Sequence, residues 1–222
     1  MRVLCLHASG SNAQTFEDQL SAIRYQLGGR HQYEFVEGTL AAKADLGVTS
    51  TLSPDARNFA YFEPDSPQSL LAALNDLERY VELEGPFDGL IAFSDAGVLA
   101  STFLVRQARR NPKSLGIGMA VFFSGQAPLD PDLLADGKLS NLDHGTVGEV
   151  ICIPTAHIMG LADCAESEGL VKLCKDQVRE VFVHDGGLEV PNVENRAGVV
   201  GSARAIERTI WRIQANSGVQ VR

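Results

Sequence analysis

The sequence has no long apolar run and comparatively little positive charge. No apolar stretch approaches the ~20 residues that a membrane-spanning helix needs, and the chain enters a predicted strand at Arg2 instead of opening with a signal peptide. The 19 basic residues are outnumbered by 28 acidic ones, which gives a net charge of -9. Nucleic acids and anionic membranes require a basic surface. We therefore expect a cytoplasmic protein that binds neither nucleic acid nor membrane.

Cysteine is also scarce, and its spacing is not that of a metal site. The four cysteines are Cys5, Cys152, Cys164 and Cys174, and their separations do not match the close pairs typical of zinc ligands. Cys5 and Cys152 fall inside predicted strands, where we expect reduced, buried thiols. The sequence predicts no metal and no cofactor.

Short apolar runs alternate along the chain with segments of helical periodicity. The predicted strands are residues 2–7, 33–36, 90–93, 119–123, 150–159 and 178–184. Strands that are almost wholly apolar and alternate with helices favour a parallel sheet covered on both faces. A chain of 222 residues suits one such α/β domain, residues 1–222. Residues 37–65 are predicted to be a long irregular connection, and residues 126–148 a small lid over a pocket.

The most informative stretch is residues 85–97, which read GPFDGLIAFSDAG. A turn leads into a short buried strand, then Ser94, then a helix, which is the order of the nucleophile elbow usually written G-x-S-x-G. Ala92 and Ala96 hold the two small-residue positions of that motif. The alternative is that Ser94 only caps the helix that follows it.

Several other candidate residues share the edge of the sheet where Ser94 lies. Ser9, Asp163 and residues 186–187 each come just after a predicted strand. Ligands of open parallel sheets bind beyond the carboxyl ends of the strands. This convergence favours Ser94 as an active-site residue.

Three separated stretches resemble one family, the small serine hydrolases typical of fungi. Residues 4–12 (LCLHASGSN) resemble its opening L-C-L-H-G-x-G-x-N, and residues 85–97 resemble its G-P-F-D-G-x-x-G-F-S-Q-G. Residues 153–163 and 184–191 resemble its I-P-T-x-H-x-x-G-x-x-D and H-x-G-G-H-x-V-P. The resemblance spans nearly the whole chain and implies the α/β-hydrolase fold. The family includes thioesterase-like enzymes that release polyketides.

The resemblance implies a role for each matching residue. Ser94 would be the nucleophile, Asp163 the acid that orients a base, and the backbone amides of Ser9 and Asp95 the oxyanion hole. Ala8 stands where the family carries glycine, which changes how the oxyanion loop approaches the site. Asp95 replaces a glutamine. It is either an acid or base in the pocket, or an acid that the dipole at a helix amino terminus favours.

The family's catalytic histidine position is occupied by Leu188. A leucine cannot exchange a proton with Ser94, and a serine hydroxyl without a base is a poor nucleophile. His184 and His144 are the two candidates for a relocated base, whereas the remaining histidines match scaffold positions or follow a helix end: His7, His157 and His31.

Three functions remain open on the sequence. The first is an enzyme that acts on a small carbonyl-containing substrate, polyketide-like or acyl, by non-hydrolytic chemistry such as cyclisation, isomerisation, aldol-type reaction or dehydration. The second is an ester or thioester hydrolase that uses Ser94 with a relocated base. The third is a non-catalytic binding protein on a hydrolase scaffold. The sequence gives no prediction of oligomeric state.

Overall fold

Parallel strands form the centre of the molecule. The computed structural model describes residues 1–45, 57–110 and 116–216. Its strands are β1 (Arg2–Leu6), β2 (Gln32–Val36), β3 (Leu40–Ala42), β4 (Asn58–Ala60), β5 (Gly89–Phe93), β6 (Met119–Phe123), β7 (Thr155–Gly160) and β8 (Arg179–His184). One sheet has the order β2-β1-β5-β6-β7-β8, and every neighbouring pair in it is parallel. The predicted parallel sheet is confirmed.

Helices cover both faces of this sheet. They are α1 (Ala13–Leu27), α2 (Pro67–Glu84), α3 (Asp95–Arg110), α4 (Pro131–Ala135), α5 (His144–Val147), α6 (Cys164–Leu173) and α7 (Arg196–Asn216). One apolar cluster joins the sheet to α1 and α7, and a second joins its other face to α2, α3 and α6. Every residue of β5 and β6 is buried, because each of these strands lies between two neighbours and two helical layers.

The starts of α1 and α2 follow from local sequence chemistry. The side chain of Asn12 accepts a hydrogen bond of 2.7 Å from the Thr15 N–H, and Ser66 caps α2 in the same way ahead of Pro67. These caps satisfy N–H groups that have no partner within the helix. The apolar stripe of α2 then packs against the sheet, with Leu70 and Leu74 almost completely buried.

Residues 37–65 are more ordered than the sequence predicts, so the expectation of an irregular connection is wrong for the described part. β3 and β4 pair as an antiparallel hairpin in this segment, and residues 46–56 lie outside the described residues. Each strand has three residues, which is too few to give a recognisable alternation. The hairpin contacts the loop after β1 through a bridge between Ser11 and Phe59.

The strand predicted over residues 150–159 begins later, at Thr155. Pro154 has no N–H to donate to a neighbouring strand, and its ring restricts the backbone conformation of the residue before it. Regular strand pairing therefore begins only after Pro154. Cys152 therefore lies before the strand and is exposed, and its predicted burial is wrong. Cys5 is buried as predicted, and burial raises the pKa of its thiol.

Residues 126–148, the predicted lid, contain the two short helices α4 and α5. Leu129, Leu134 and Leu142 are buried in the cluster that includes α2 and α3. The Leu129 N–H also donates a 3.0 Å hydrogen bond to the Thr102 hydroxyl on α3. The segment is thus anchored to the scaffold along its length, and its role as a lid stays a prediction.

Within the three described ranges, no helix has the length and apolarity that crossing a membrane requires.

Candidate active site

Ser94 sits at a sharp turn between β5 and α3. Its φ of 53° lies in the left-handed region, which costs a residue other than glycine about 1–3 kcal/mol. The Ser94 N–H donates to the carbonyl of Phe123 at 2.9 Å, and its own carbonyl accepts from the Gly97 N–H at 2.7 Å. Strained serine backbone between a buried strand and a helix is the geometry of a nucleophile elbow.

The elbow needs small residues beside it, and the packing shows why. A Cβ added to Gly97 would lie 2.9 Å from the Cα of Gly125 in the loop after β6. Ala92 and Ala96 are buried, with at most 1% of their surface exposed. The two alanines that hold the small-residue positions of the motif therefore fit the turn.

The loop after β1 runs beside the elbow as the candidate oxyanion loop. Ala8 is buried and Ser9 half-buried, and the Ala8 carbonyl accepts from the Ser11 N–H at 3.2 Å. Among the described residues, the N–H groups of Ser9 and Asp95 have no hydrogen-bond acceptor. Two unused backbone donors near a serine hydroxyl can stabilise a developing oxyanion, and one such donor is worth about 3 kcal/mol in a hydrolase.

His7 fixes this loop. The ring is fully buried; Nδ1 lies 2.8 Å from the Ala8 carbonyl and Nε2 accepts from the Gly38 N–H at 2.9 Å. Since Nε2 accepts, the proton resides on Nδ1, which donates to Ala8. Burial lowers the pKa of His7 and keeps the ring neutral. Glu37 lies 3.1 Å from Nε2. His7 is therefore part of the scaffold and not a free base.

The β3–β4 hairpin holds the same loop from outside. The Gly10 N–H donates to the carbonyl of Phe59 at 3.0 Å, and the Asp45 N–H donates to the carbonyl of Gly10 at 3.1 Å. Gly10 has a φ of 71°, and a Cβ there would lie 2.6 Å from the carbonyl oxygen of Lys43. The sequence does not predict this contribution of the hairpin, because strands of three residues show no recognisable alternation.

Asp163 lies just past β7, where the sequence places it. Its Oδ2 accepts a 3.0 Å hydrogen bond from the hydroxyl of Ser124. Ser124 follows β6 and has a φ of 44°. Ser124 is not among the residues predicted from the sequence, although Ser-Gly directly after a buried strand marks the same edge of the sheet as Ser94.

Leu188 occupies the loop between β8 and α7. Its half-buried side chain packs against the apolar cluster that contains Ala8 and Phe93. The structure thus places an apolar side chain where the family resemblance implies an imidazole. Nothing in that side chain can take a proton from Ser94.

His184, one candidate for a relocated base, has no hydrogen bond to Ser94 in the described structure. It ends β8, three strands from β5 in the sheet, and strands are about 4.8 Å apart, so the two strand ends are roughly 14 Å apart. Its Nδ1 accepts from the Gly186 N–H at 3.1 Å, and Nε2 is buried without a partner among the described residues. Burial lowers its pKa.

His144 and His157 lie in opposite kinds of surroundings, one exposed and one buried. His144 is exposed at the start of α5 and has no hydrogen bond to Ser94 in the described structure. His157 is buried in β7, where Nε2 lies 3.0 Å from the Thr155 hydroxyl and the ring stacks on Phe122. Burial lowers the pKa of His157 to about 3.

Asp95 is the titratable group next in sequence to Ser94. It is half-buried as the first residue of α3. Burial raises the pKa of its carboxyl, and the negative charge of Asp45 raises it further. Asp95 therefore holds a proton to higher pH than a solvated aspartate, even though the helix dipole acts in the opposite direction.

The parallel sheet, the strained serine after β5 and the acid after β7 define an α/β-hydrolase fold. Solved structures agree with this class. A carboxylesterase from Mesorhizobium loti superposes with a TM-score of 0.55 at 15% identity, covering 98% of this chain and 88% of the other. Acyl-protein thioesterase 2 from Zea mays gives 0.54 at 14% identity, covering 98% and 94%. These likenesses concern the fold.

A family model and relatives of higher sequence identity establish the family of this chain. The model of the family described as serine hydrolase (FSH1) matches residues 1–199. Esterase FPY3 of Fusarium mangiferae is 35% identical over 217 residues, covering 96% of this chain and 98% of its own. Hydrolase phiM of a fungal species is 34% identical over 166 residues, covering 73% of each chain. The chain belongs to the FSH1 serine hydrolase family.

Proposed function

We propose that this member of the family binds a small carbonyl-containing substrate, polyketide-like or acyl, and rearranges it by proton transfer instead of hydrolysing it. The observation that carries the proposal is Leu188, an apolar side chain in the loop where the resemblance implies the general base. Without a base, Ser94 gives only slow acyl transfer.

The groups that remain suit a different reaction. The N–H groups of Ser9 and Asp95 would accept the negative charge that forms on a carbonyl oxygen when a proton leaves the adjacent carbon. A carboxylate with a raised pKa is a better base than an ordinary one, and Asp95 lies directly beside the elbow. Asp95 would take the proton from carbon. It would return this proton to a different carbon in an isomerisation, to the oxygen of the carbonyl that the enolate carbon attacks in a cyclisation, or to a departing hydroxyl group that leaves as water in a dehydration. Ser94 would then donate a hydrogen bond and form no acyl-enzyme.

A second candidate is an ester or thioester hydrolase with a relocated base. It is favoured by the retained strain at Ser94 and by relatives that are named esterases. His144 is the candidate base for this alternative, because His7, His157 and His184 are buried and His31 lies before β2 at the opposite end of the strands. A third candidate is a binding protein that uses the same pocket without turnover.

Burst labelling by a fluorophosphonate tests these alternatives on the parent chain, on Leu188→His and on Ser94→Ala. We expect the parent to label slowly, Leu188→His to label at least about a hundredfold faster, and Ser94→Ala not to label. Fast labelling of the parent would establish the hydrolase and overturn the proposal. If Leu188→His folds and is as slow as the parent, position 188 does not face Ser94.

Turnover separates the proposed enzyme from a binding protein. Proton transfer next to a carbonyl exchanges the adjacent C–H hydrogens with D₂O, and NMR detects this without knowledge of the product. Exchange catalysed by the parent and lost in Asp95→Asn supports the proposal. Binding of a carbonyl compound without exchange supports the non-catalytic alternative.

A further inference from the structure

A second candidate site lies on the α2 side of the sheet. A cavity of about 160 Å³ opens between α2 and the carboxyl ends of β1 and β2. Its floor is made by Leu6, Ala73, Leu77 and Leu99, all of which are buried. Apolar cavities of about 150 Å³ stay dry and accept benzene. The floor therefore fits one small ring or a short branched alkyl group.

The rim of the cavity is acidic. Glu37, Thr39 and Asp76 are exposed there, and the lining contains no lysine, arginine or histidine. Asp76 has no ion pair among the described residues. One oxygen of Glu37 accepts from the Ala13 N–H at 2.9 Å, while the other oxygen has no described donor. The rim thus offers acceptors and negative charge to a ligand.

Two tyrosines line the wall, but their hydroxyl protons are already used. The Tyr61 hydroxyl donates to the carbonyl of Val36 at 2.7 Å, and the Tyr80 hydroxyl donates to Glu34 Oε1 at 2.5 Å. What remains for a ligand is their aromatic surface, which attracts cations. An anion would find one hydroxyl donor, that of Thr39, and two repelling carboxylates.

We propose that this cavity binds a small organic cation with an apolar body, of the arylalkylammonium class. The ring would fill the apolar floor, and the ammonium group would lie at the rim near Glu37 and Asp76. Apolar burial supplies the attraction and the carboxylates select the sign of charge. The site does not use Ser94, so the inference is independent of the chemistry proposed there.

The test uses three probes of one shape on the whole chain: benzylammonium, benzyl alcohol and benzoate. Amide shifts of Leu77 and Tyr80 in a nitrogen–proton NMR titration report occupancy. We expect benzylammonium to bind most tightly, benzyl alcohol more weakly, and benzoate not at all. Added salt should weaken the binding of benzylammonium and leave the binding of benzyl alcohol unchanged. Equal binding of benzoate, or shifts that leave these amides unmoved, would overturn the inference.

Variants locate the ligand. Ala73→Leu fills the floor and should lower the affinity for benzylammonium at least about tenfold. Ala72→Leu adds the same atoms on the exposed face of α2 and should leave that affinity unchanged. Asp76→Asn should lower the affinity for benzylammonium about threefold and leave the affinity for benzyl alcohol unchanged. Because Asp76 is exposed, this variant keeps the test decisive if Ala73→Leu does not fold.

A last variant separates the two proposals. Ser94→Ala should bind benzylammonium as the parent does. If it loses binding while its fold is intact, the probe occupies the elbow and the inference of a separate site fails. The proposed function does not depend on this outcome, since its own readouts are labelling at Ser94 and hydrogen exchange next to a carbonyl.

Discussion

The hydroxyl of Ser124 donates a hydrogen bond of 3.0 Å to Oδ2 of Asp163. Ser124 follows β6 and Asp163 follows β7, so the bond joins the ends of two neighbouring strands and fixes the carboxylate. The Ser124 hydroxyl therefore holds the Asp163 carboxylate in place at the carboxyl edge of the sheet.

Ser124→Ala should destabilise the fold by about 1 kcal/mol, because the half-buried carboxylate loses a charge-assisted donor. Urea unfolding measures this loss. The matched cycle combines Ser124→Ala with Asp163→Asn. A coupling energy of about 0.5 kcal/mol or more between the two changes is expected for contacting residues, and strictly additive effects would contradict the bond.

The buried His157 should make stability depend on pH. Its folded pKa of about 3 lies below the ordinary value of 6.5, so the unfolded chain binds more protons between these pH values. The neutral ring makes its full contribution to the free energy of unfolding above pH 6.5, and this contribution is lost as the pH falls toward 3. His157→Gln should flatten the curve of unfolding free energy against pH in this window.

The control for that experiment is His144→Gln, since His144 is exposed. Its curve should match the parent's. If His157→Gln also retains the full slope between pH 6.5 and 3, the protonation of other groups governs acid unfolding and the burial of His157 does not matter.

Asp95 should titrate above the ordinary aspartate value of 3.8. Burial is the main cause, and the Asp45 carboxylate adds to it, so Asp45→Asn should lower the pKa of Asp95. Carbon-detected NMR of the carboxyl groups follows both changes directly. Asp18→Asn, on α1, is the control and should leave Asp95 unmoved. A titration of Asp95 at or below 3.8 would show that the helix dipole outweighs desolvation.

The site was predictable where one residue carries a local signal. Ser94 follows a buried strand and precedes a helix, and Asp163 follows another strand, so both could be placed at one edge from the sequence. Ser124 and the β3–β4 hairpin could not. Ser124 acts through a contact 39 residues away, and the hairpin strands are too short to show a period.

The elements of the fold likewise include some that could be predicted from the sequence and some that could not. The central strands were predictable because burial on both faces makes them continuously apolar. The start of α7 was not. The sequence predicts a helix over residues 203–214, whereas α7 begins at Arg196 and includes Gly198 and Gly201. Glycine disfavours helices by about 1 kcal/mol. The Asn195 side chain offsets this locally, since it accepts a 2.8 Å hydrogen bond from the Gly198 N–H, and tertiary packing supports the rest of this first part.

Gly201 supplies a direct test of that packing. A Cβ at this position would lie 2.0 Å from Cζ of Phe182, on β8. Gly201→Ala should therefore destabilise the fold by about 1–3 kcal/mol through overpacking, despite the better helix propensity of alanine. Urea unfolding measures the change.

Two further variants decide whether the aromatic ring is the cause. Gly29→Ala meets no atom within 4 Å and should leave stability within about 0.5 kcal/mol of the parent. Phe182→Leu shortens the side chain that the new methyl group meets, so Gly201→Ala should cost less in that background than in the parent. An equal cost in both backgrounds would mean that the ring moves aside freely, and that the glycine is not needed for the approach of α7 to β8.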